Sequence, residues 1–165
     1  MSKATLTLGI VVVVSVFLHG ALMPDLTLFG GRVNLLVALV AGMALRYGTT
    51  TGLAVGLVSG LLADTLFAGV FGLTAIPLVV IGYVVGQVER HFFRDELLVV
   101  VSVGFTSIVA FELLSLLLSR LAFGVWWGGA FVQAFVPTVL VNGALIPVFL
   151  SWLFKILPRH KREVI

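Results

Sequence analysis

Two carboxylates stand inside apolar stretches of this sequence: Asp64, closing "TTGLAVGLVSGLLAD", and Glu112, within "TSIVAFELLSLLLS". An acid inside hydrocarbon costs about 2.5–3.5 kcal/mol on insertion scales and characteristically faces a bundle interior or water. Three roles are open to each of them. The acid can sit hydrated at an interface, pair with Arg32 or Arg120 as an architectural ion pair, or line a polar cavity. Arg32, Asn34 and Asn142 are the other polar residues expected to share that level, so the candidate cluster is Arg32, Asn34, Asp64, Glu112 and Asn142.

Catalytic patterns are missing. No G-x-x-x-x-G-K-S/T loop is present to cradle phosphates. "GLVSG" places Ser59 one position away from a G-x-S-x-G nucleophile elbow. His19, His91 and His160 stand apart at the ends of apolar runs, without H-E-x-x-H spacing, and read as interface residues. The chain has no cysteine, which excludes disulfides, zinc–thiolate sites and thiol catalysis. No enzymatic activity, cofactor or metal is expected.

The elements that must hold these polar groups are membrane helices. The chain has 165 residues, 61% of them apolar, with a mean hydropathy of +1.24; a soluble domain runs near 45–50% apolar. Runs of about 20 residues with few charges match a hydrocarbon core about 30 Å thick. The pattern predicts an all-α polytopic integral membrane protein, one domain over 1–165. Its spans fall at about 4–23, 33–46, 51–68, 71–88, 97–119 and 131–154, followed by a basic tail, 155–165. The first run resembles a signal peptide but is too long and lacks an A-x-A-like site, so it reads as a retained helix.

The second run, Val33–Leu45, is short enough to be a re-entrant segment, and the charges arbitrate. Six crossings leave Lys3, Arg46, Arg90, Arg94, Lys155, Arg159, Lys161 and Arg162 on the cytoplasmic side, with only Arg32 and Arg120 outside. A re-entrant second segment inverts that distribution, against the positive-inside rule. Six spans with both termini cytoplasmic are therefore expected. The pI near 9.8 then reflects orientation rather than nucleic-acid binding. Counted from the helix starts, Asp64 and Glu112 lie about 20 and 22 Å along their spans, both in the outer half.

Gly52, Gly56 and Gly60 recur every fourth residue ahead of Asp64. At 100° per residue this stripe drifts by about 40° per step, so it is one slowly turning face. Small residues let membrane helices approach closely where the hydrophobic drive between them is weak. The fourth span, with Gly82 and Gly86, is the expected partner, and a seam between two copies of the chain, a homodimer, is the alternative. Trp126 and Trp127 suit the outer lipid–water boundary. Lys155, Arg159, Lys161 and Arg162 suit anionic lipid at the inner surface, at about 1 kcal/mol each, or a cytoplasmic partner. In the sixth span Pro137 and Pro147 predict kinks, and Asn142 predicts a hydrogen bond to another helix. Pro77 predicts a kink in the fourth.

The segments "FGGRVNLL", "ALRYG", the glycine ladder into "GLLAD", "FGLTAIPLVVIGYVVG", "RHFFRD", "FELLSLLL" and "VNGALIP" occur in this order. In order and spacing the chain resembles the rod shape-determining protein MreD family over nearly its whole length. Members often carry Arg-Pro-Asp where this chain has Arg32-Val33-Asn34, so one acid of the outer cluster is absent here. The resemblance implies a non-enzymatic scaffold of side-wall peptidoglycan synthesis in the bacterial inner membrane. Its implied partner is MreC, with RodA, a class B penicillin-binding transpeptidase and MreB as further partners. It also implies a bundle similar to the substrate-binding S components of energy-coupling-factor transporters. The alternative function is accordingly an S-component-like subunit for vitamin or metal uptake. The first span lacks the A-x-x-x-A-type pattern by which S components dock, which tilts against that alternative. Asp64→Asn is expected to leave folding intact.

Overall fold

The computed structural model describes residues 3–22, 27–68, 70–88, 97–124 and 128–156. The apolar runs form six α-helices: α1 (Lys3–Leu22), α2 (Leu35–Tyr47), α3 (Thr49–Ala63), α4 (Ala75–Val88), α5 (Leu97–Phe123) and α6 (Gly128–Ile156). α3 runs on into one π-helical turn, Asp64–Ala68. Between α1 and α2 lies a hairpin of β1 (Thr27–Leu28) and β2 (Gly31–Arg32), paired antiparallel. Phe29 and Gly30 form its two-residue turn, both at positive φ (52° and 82°), the geometry that matches strand twist in tight hairpins. The Phe29 side chain is 97% exposed at the tip.

Three stretches are long and apolar enough to cross a membrane: Thr49–Phe67, Leu98–Phe123 and Gln133–Lys155. Among the described residues the other three apolar helices offer shorter apolar stretches, Thr7–Ala21, Leu35–Tyr47 and Ala75–Gln87. α2 has 13 residues, about 20 Å of helix at 1.5 Å per residue. It needs no lipid-facing length, because every residue from Leu36 to Leu45 is buried and the helix touches all five others. A helix apolar on every side belongs inside a bundle, and α2 is the axis around which the rest assemble. Its start is capped by Asn34, whose Oδ1 accepts from Val37 N at 3.2 Å. Its end turns directly into α3 through Gly48, at φ 85°, a left-handed conformation that favours glycine. The outward faces carry large apolar side chains, among them Phe17, Leu57, Val84, Leu117, Leu140 and Val148. That much exposed apolar surface exceeds what a water-soluble monomer shows; in this chain it is the lipid-facing side of a membrane protein.

α3 and α4 form the most extensive helix pair in the bundle, antiparallel and with backbones in contact. A Cβ added at Gly52 would lie 2.5 Å from the Gly82 carbonyl oxygen, and one at Gly56 2.6 Å from that of Leu78. Gly82 in turn abuts the Gly52 carbonyl, Gly60 abuts Ala75 and Gly86 abuts Thr49. The seam thus runs from Thr49/Gly86 to Gly60/Ala75.

Two expectations are revised. α4 begins at Ala75 rather than near 71, because residues 71–74 form turns. Pro77 therefore lies in the helix's first turn, between the bonds Ile76 N to Gly72 O and Leu78 N to Thr74 O, and the one bond it withholds falls at the helix start, where proline is tolerated, rather than in a helix interior. α6 by contrast continues through both Pro137 and Pro147.

Candidate functional site

The hairpin, the first turns of α2 and α4, the first half of α6 and the last turns of α1, α3 and α5 meet at one end of the bundle, and Arg32, Asn34, Glu112 and Asn142 gather there in two arrangements. The first is a latch between α6 and the chain entering α2. Asn142 is 1% exposed. Its Oδ1 accepts from Asn34 N at 2.7 Å, and its Nδ2 donates to Arg32 O at 2.7 Å and Thr138 O at 2.8 Å. Arg32 N completes the set by donating to Thr138 Oγ1 at 3.1 Å. A side-chain amide carries a donor and an acceptor in peptide-like geometry, so Asn142 satisfies the backbone of 32–34 as a neighbouring strand would. Gly31 lies against the backbone of Pro137 and Thr138, with no room for a Cβ.

Removing the amide leaves Asn34 N and Arg32 O buried without partners. Asn142→Ala is expected to destabilise the purified protein by about 1–2 kcal/mol, between the modest value of interhelical hydrogen bonds in membranes and that of unsatisfied buried groups. A detergent melting curve checks this. Asn142→Gln, which keeps the amide but misplaces it, should recover little.

The second arrangement is a cavity of about 650 Å³ beside the latch. Its walls come from α1 (His19), the hairpin and α2 entry (Arg32, Val33, Asn34), the turn before α4 (Thr74), α5 (Phe111, Glu112, Ser115, Leu116, Ser119) and α6 (Phe131, Ala134, Thr138). Glu112, Ser115 and Ser119 fall at spacings of three and four, on one face of α5. Arg32 and Glu112 line the same space without an ion pair between them. His19 Nδ1 and Ser115 Oγ are buried with no hydrogen-bond partner.

Asp64 belongs to neither arrangement. It is 0% exposed, and both its oxygens are taken by the start of α4. Oδ1 accepts from Thr74 N at 2.9 Å, and Oδ2 from Gly72 N at 2.8 Å and Ala75 N at 3.1 Å. The carboxylate caps α4, where a helix offers unpaired N–H groups and the positive end of its dipole. Asp64 and Glu112 share an end of the bundle, but Glu112 lines the cavity and Asp64 is sealed against the start of α4, so the structure does not bring the two acids together. Gly52, Gly56, Gly60, Gly82 and Gly86 all lie in the α3/α4 seam.

At the opposite end Arg46 closes α2. Its Nη2 donates to Phe154 O at 3.3 Å, and its guanidinium lies 5.2 Å from the centre of the Phe154 ring. Lys155 is exposed in the last turn of α6. Trp126, Trp127, Arg159, Lys161 and Arg162 lie outside the described residues.

Sequence reading passed over His19, Thr74, Ser115, Ser119 and Thr138 as wall residues. The spacing of Glu112, Ser115 and Ser119 was the available signal for one wall; nothing local to His19 or Thr74 indicates that they reach the same cavity. Among the described residues no group of three or more His, Cys, Asp or Glu could hold a metal ion.

A family model described as rod shape-determining protein MreD matches residues 2–159 of the chain. No curated protein and no solved structure matches significantly.

Proposed function

The chain belongs to the rod shape-determining protein MreD family, and from that premise we propose that it is a non-enzymatic membrane scaffold of the wall-elongation machinery, binding MreC and helping to place side-wall peptidoglycan synthesis. A part in determining rod shape follows from the family; the partners and the scaffold role are our reading. RodA, a class B penicillin-binding transpeptidase and MreB are the further components we expect around it. In this reading the chain crosses the bacterial inner membrane six times with both termini in the cytoplasm. The hairpin, latch and cavity then face outward, and Arg46 and Lys155 lie at the inner surface. The charge distribution supports that orientation. The observation that carries the reading is the family match over 2–159.

A scaffold needs a rigid body with fixed surfaces. Backbone contact along α3/α4 and an amide latch holding the hairpin to α6 are devices that rigidify a bundle, which supports this role over a moving one. The test is affinity purification of the tagged protein from its own membranes, with mass spectrometry of what accompanies it. MreC should be retained, and depletion of the protein should turn rods into spheres. One observation favours a second reading, an S-component-like subunit for solute uptake: the cavity at the hairpin end. Co-purification of an ATP-hydrolysing module, with no change of shape on depletion, would replace the scaffold by that alternative.

A further inference from the structure

The cavity presents opposite charges that do not neutralise each other. Arg32, on β2, and Glu112, on α5, both line it and no ion pair joins them. A charge inside a membrane helix, as Glu112 is, characteristically pairs or serves a ligand or pathway. Among the described residues Glu112 has no ion-pair partner, and Arg32, exposed on the hairpin, lines the same space. The volume of about 650 Å³ falls in the range of small-molecule sites, about 300–1,000 Å³. Phe111, Leu116 and Phe131 supply an apolar wall beside the charges. His19 and Ser115 add buried polar atoms with no protein partner, and an imidazole flip or a hydroxyl rotation suffices to offer them to a guest.

We propose that this cavity binds a phosphoethanolamine-type zwitterion, its phosphate on Arg32 and its primary ammonium on Glu112. A planar guanidinium matches phosphate oxygens in pairs. A carboxylate is acceptor-only and complements the three N–H donors of an ammonium. The occupant is held by two opposite charges a short spacer apart, which a singly anionic headgroup does not offer. The same chemistry has two sources, the headgroup of a zwitterionic phospholipid and a free soluble zwitterion. The apolar wall favours the lipid. The proposal concerns the cavity alone and does not depend on which partner proteins the chain binds.

The test uses the purified, delipidated full-length protein. Native mass spectrometry with equal amounts of dioleoyl phosphatidylethanolamine and dioleoyl phosphatidylglycerol reads headgroup preference, and melting curves with O-phosphoethanolamine read the free zwitterion. Phosphatidylethanolamine should be retained about tenfold over phosphatidylglycerol, the scale of one charge-assisted hydrogen bond. Glu112→Gln should abolish that preference, because only the ammonium distinguishes the two headgroups, and Arg32→Gln should weaken retention of both lipids, which share the phosphate. Arg32→Gln is the cleaner variant, because the latch uses only the Arg32 backbone. Stabilisation by O-phosphoethanolamine, lost in the same variants, supports a site open to the free zwitterion; retention of the lipid alone assigns it to the headgroup. Equal retention of the two lipids with no response to O-phosphoethanolamine overturns the proposal, as does a preference that survives Glu112→Gln or a retention that Arg32→Gln leaves unchanged. The wild-type comparison stands even if a variant fails to fold.

Discussion

Asp64→Ala is expected to lower the stability of the purified protein by about 3–5 kcal/mol, the sum of several buried donors left unsatisfied at about 1–3 kcal/mol each, with some relaxation. The carboxylate receives Gly72 N, Thr74 N and Ala75 N and has no exposure to solvent. The loss should appear in detergent melting curves and as early proteolysis between residues 70 and 75, since the missing contacts are those that set where α4 starts. The three donors also change the expectation for Asp64→Asn. An amide keeps one acceptor oxygen but turns a second group from acceptor to donor. With Oδ2 serving two N–H groups, the amide nitrogen meets donors whichever way it is placed. Asp64→Asn should therefore lose most of what Asp64→Ala loses, rather than fold normally. A wild-type melting curve for Asp64→Asn would contradict the capping role.

Gly56→Leu is the second large effect, at about 3 kcal/mol, the upper part of the usual range for overpacking. What a side chain would strike at Gly56 is the Leu78 carbonyl and the Val79 nitrogen, which are backbone and cannot rotate aside. Helices α3 and α4 must separate, and the seam from Thr49 to Ala75 loses its contacts together. α2 packs on both helices, so the disturbance reaches the bundle's axis. Gly9, which has open space around it, supplies the control: Gly9→Leu should leave the melting temperature close to wild type. If the two substitutions behave alike, the close approach of α3 and α4 is not a source of stability.

What could be read from the sequence depended on how local its cause was. The apolar runs and the four-residue glycine rhythm are local patterns. They indicate helices and a close-packed face, and the small residues on the facing helix, Gly82 and Gly86, are just as visible. Asn142 announces a cross-helix hydrogen bond by being an amide in an apolar run, but not that its partners are the backbone of 32–34. The role of Asp64 was hidden for a definite reason. Capping rules look at the residue next to the helix, which here is Thr74, whereas the capping carboxylate reaches in from ten residues upstream. A π-helical turn at 64–68, invisible to a 3.6-residue period, belongs to the same stretch. The depth count put Asp64 and Glu112 at one level, but depth carries no information about azimuth around the bundle. Azimuth decided that Glu112 lines the cavity and Asp64 does not. The hub position of α2 was equally out of reach, since a short apolar run reads the same at the centre of a bundle as at its edge.

In the proposed orientation the hairpin end of the bundle faces outward and the Arg46/Lys155 end faces the cytoplasm. Because the chain has no cysteine, single substitutions report position without background. Phe29→Cys, at the exposed hairpin tip, and Lys155→Cys, at the far end of α6, are each treated in spheroplasts with a membrane-impermeant maleimide. Phe29→Cys should be labelled in intact spheroplasts and Lys155→Cys only after permeabilisation. Labelling of Lys155→Cys in intact spheroplasts, with Phe29→Cys protected, would contradict that orientation.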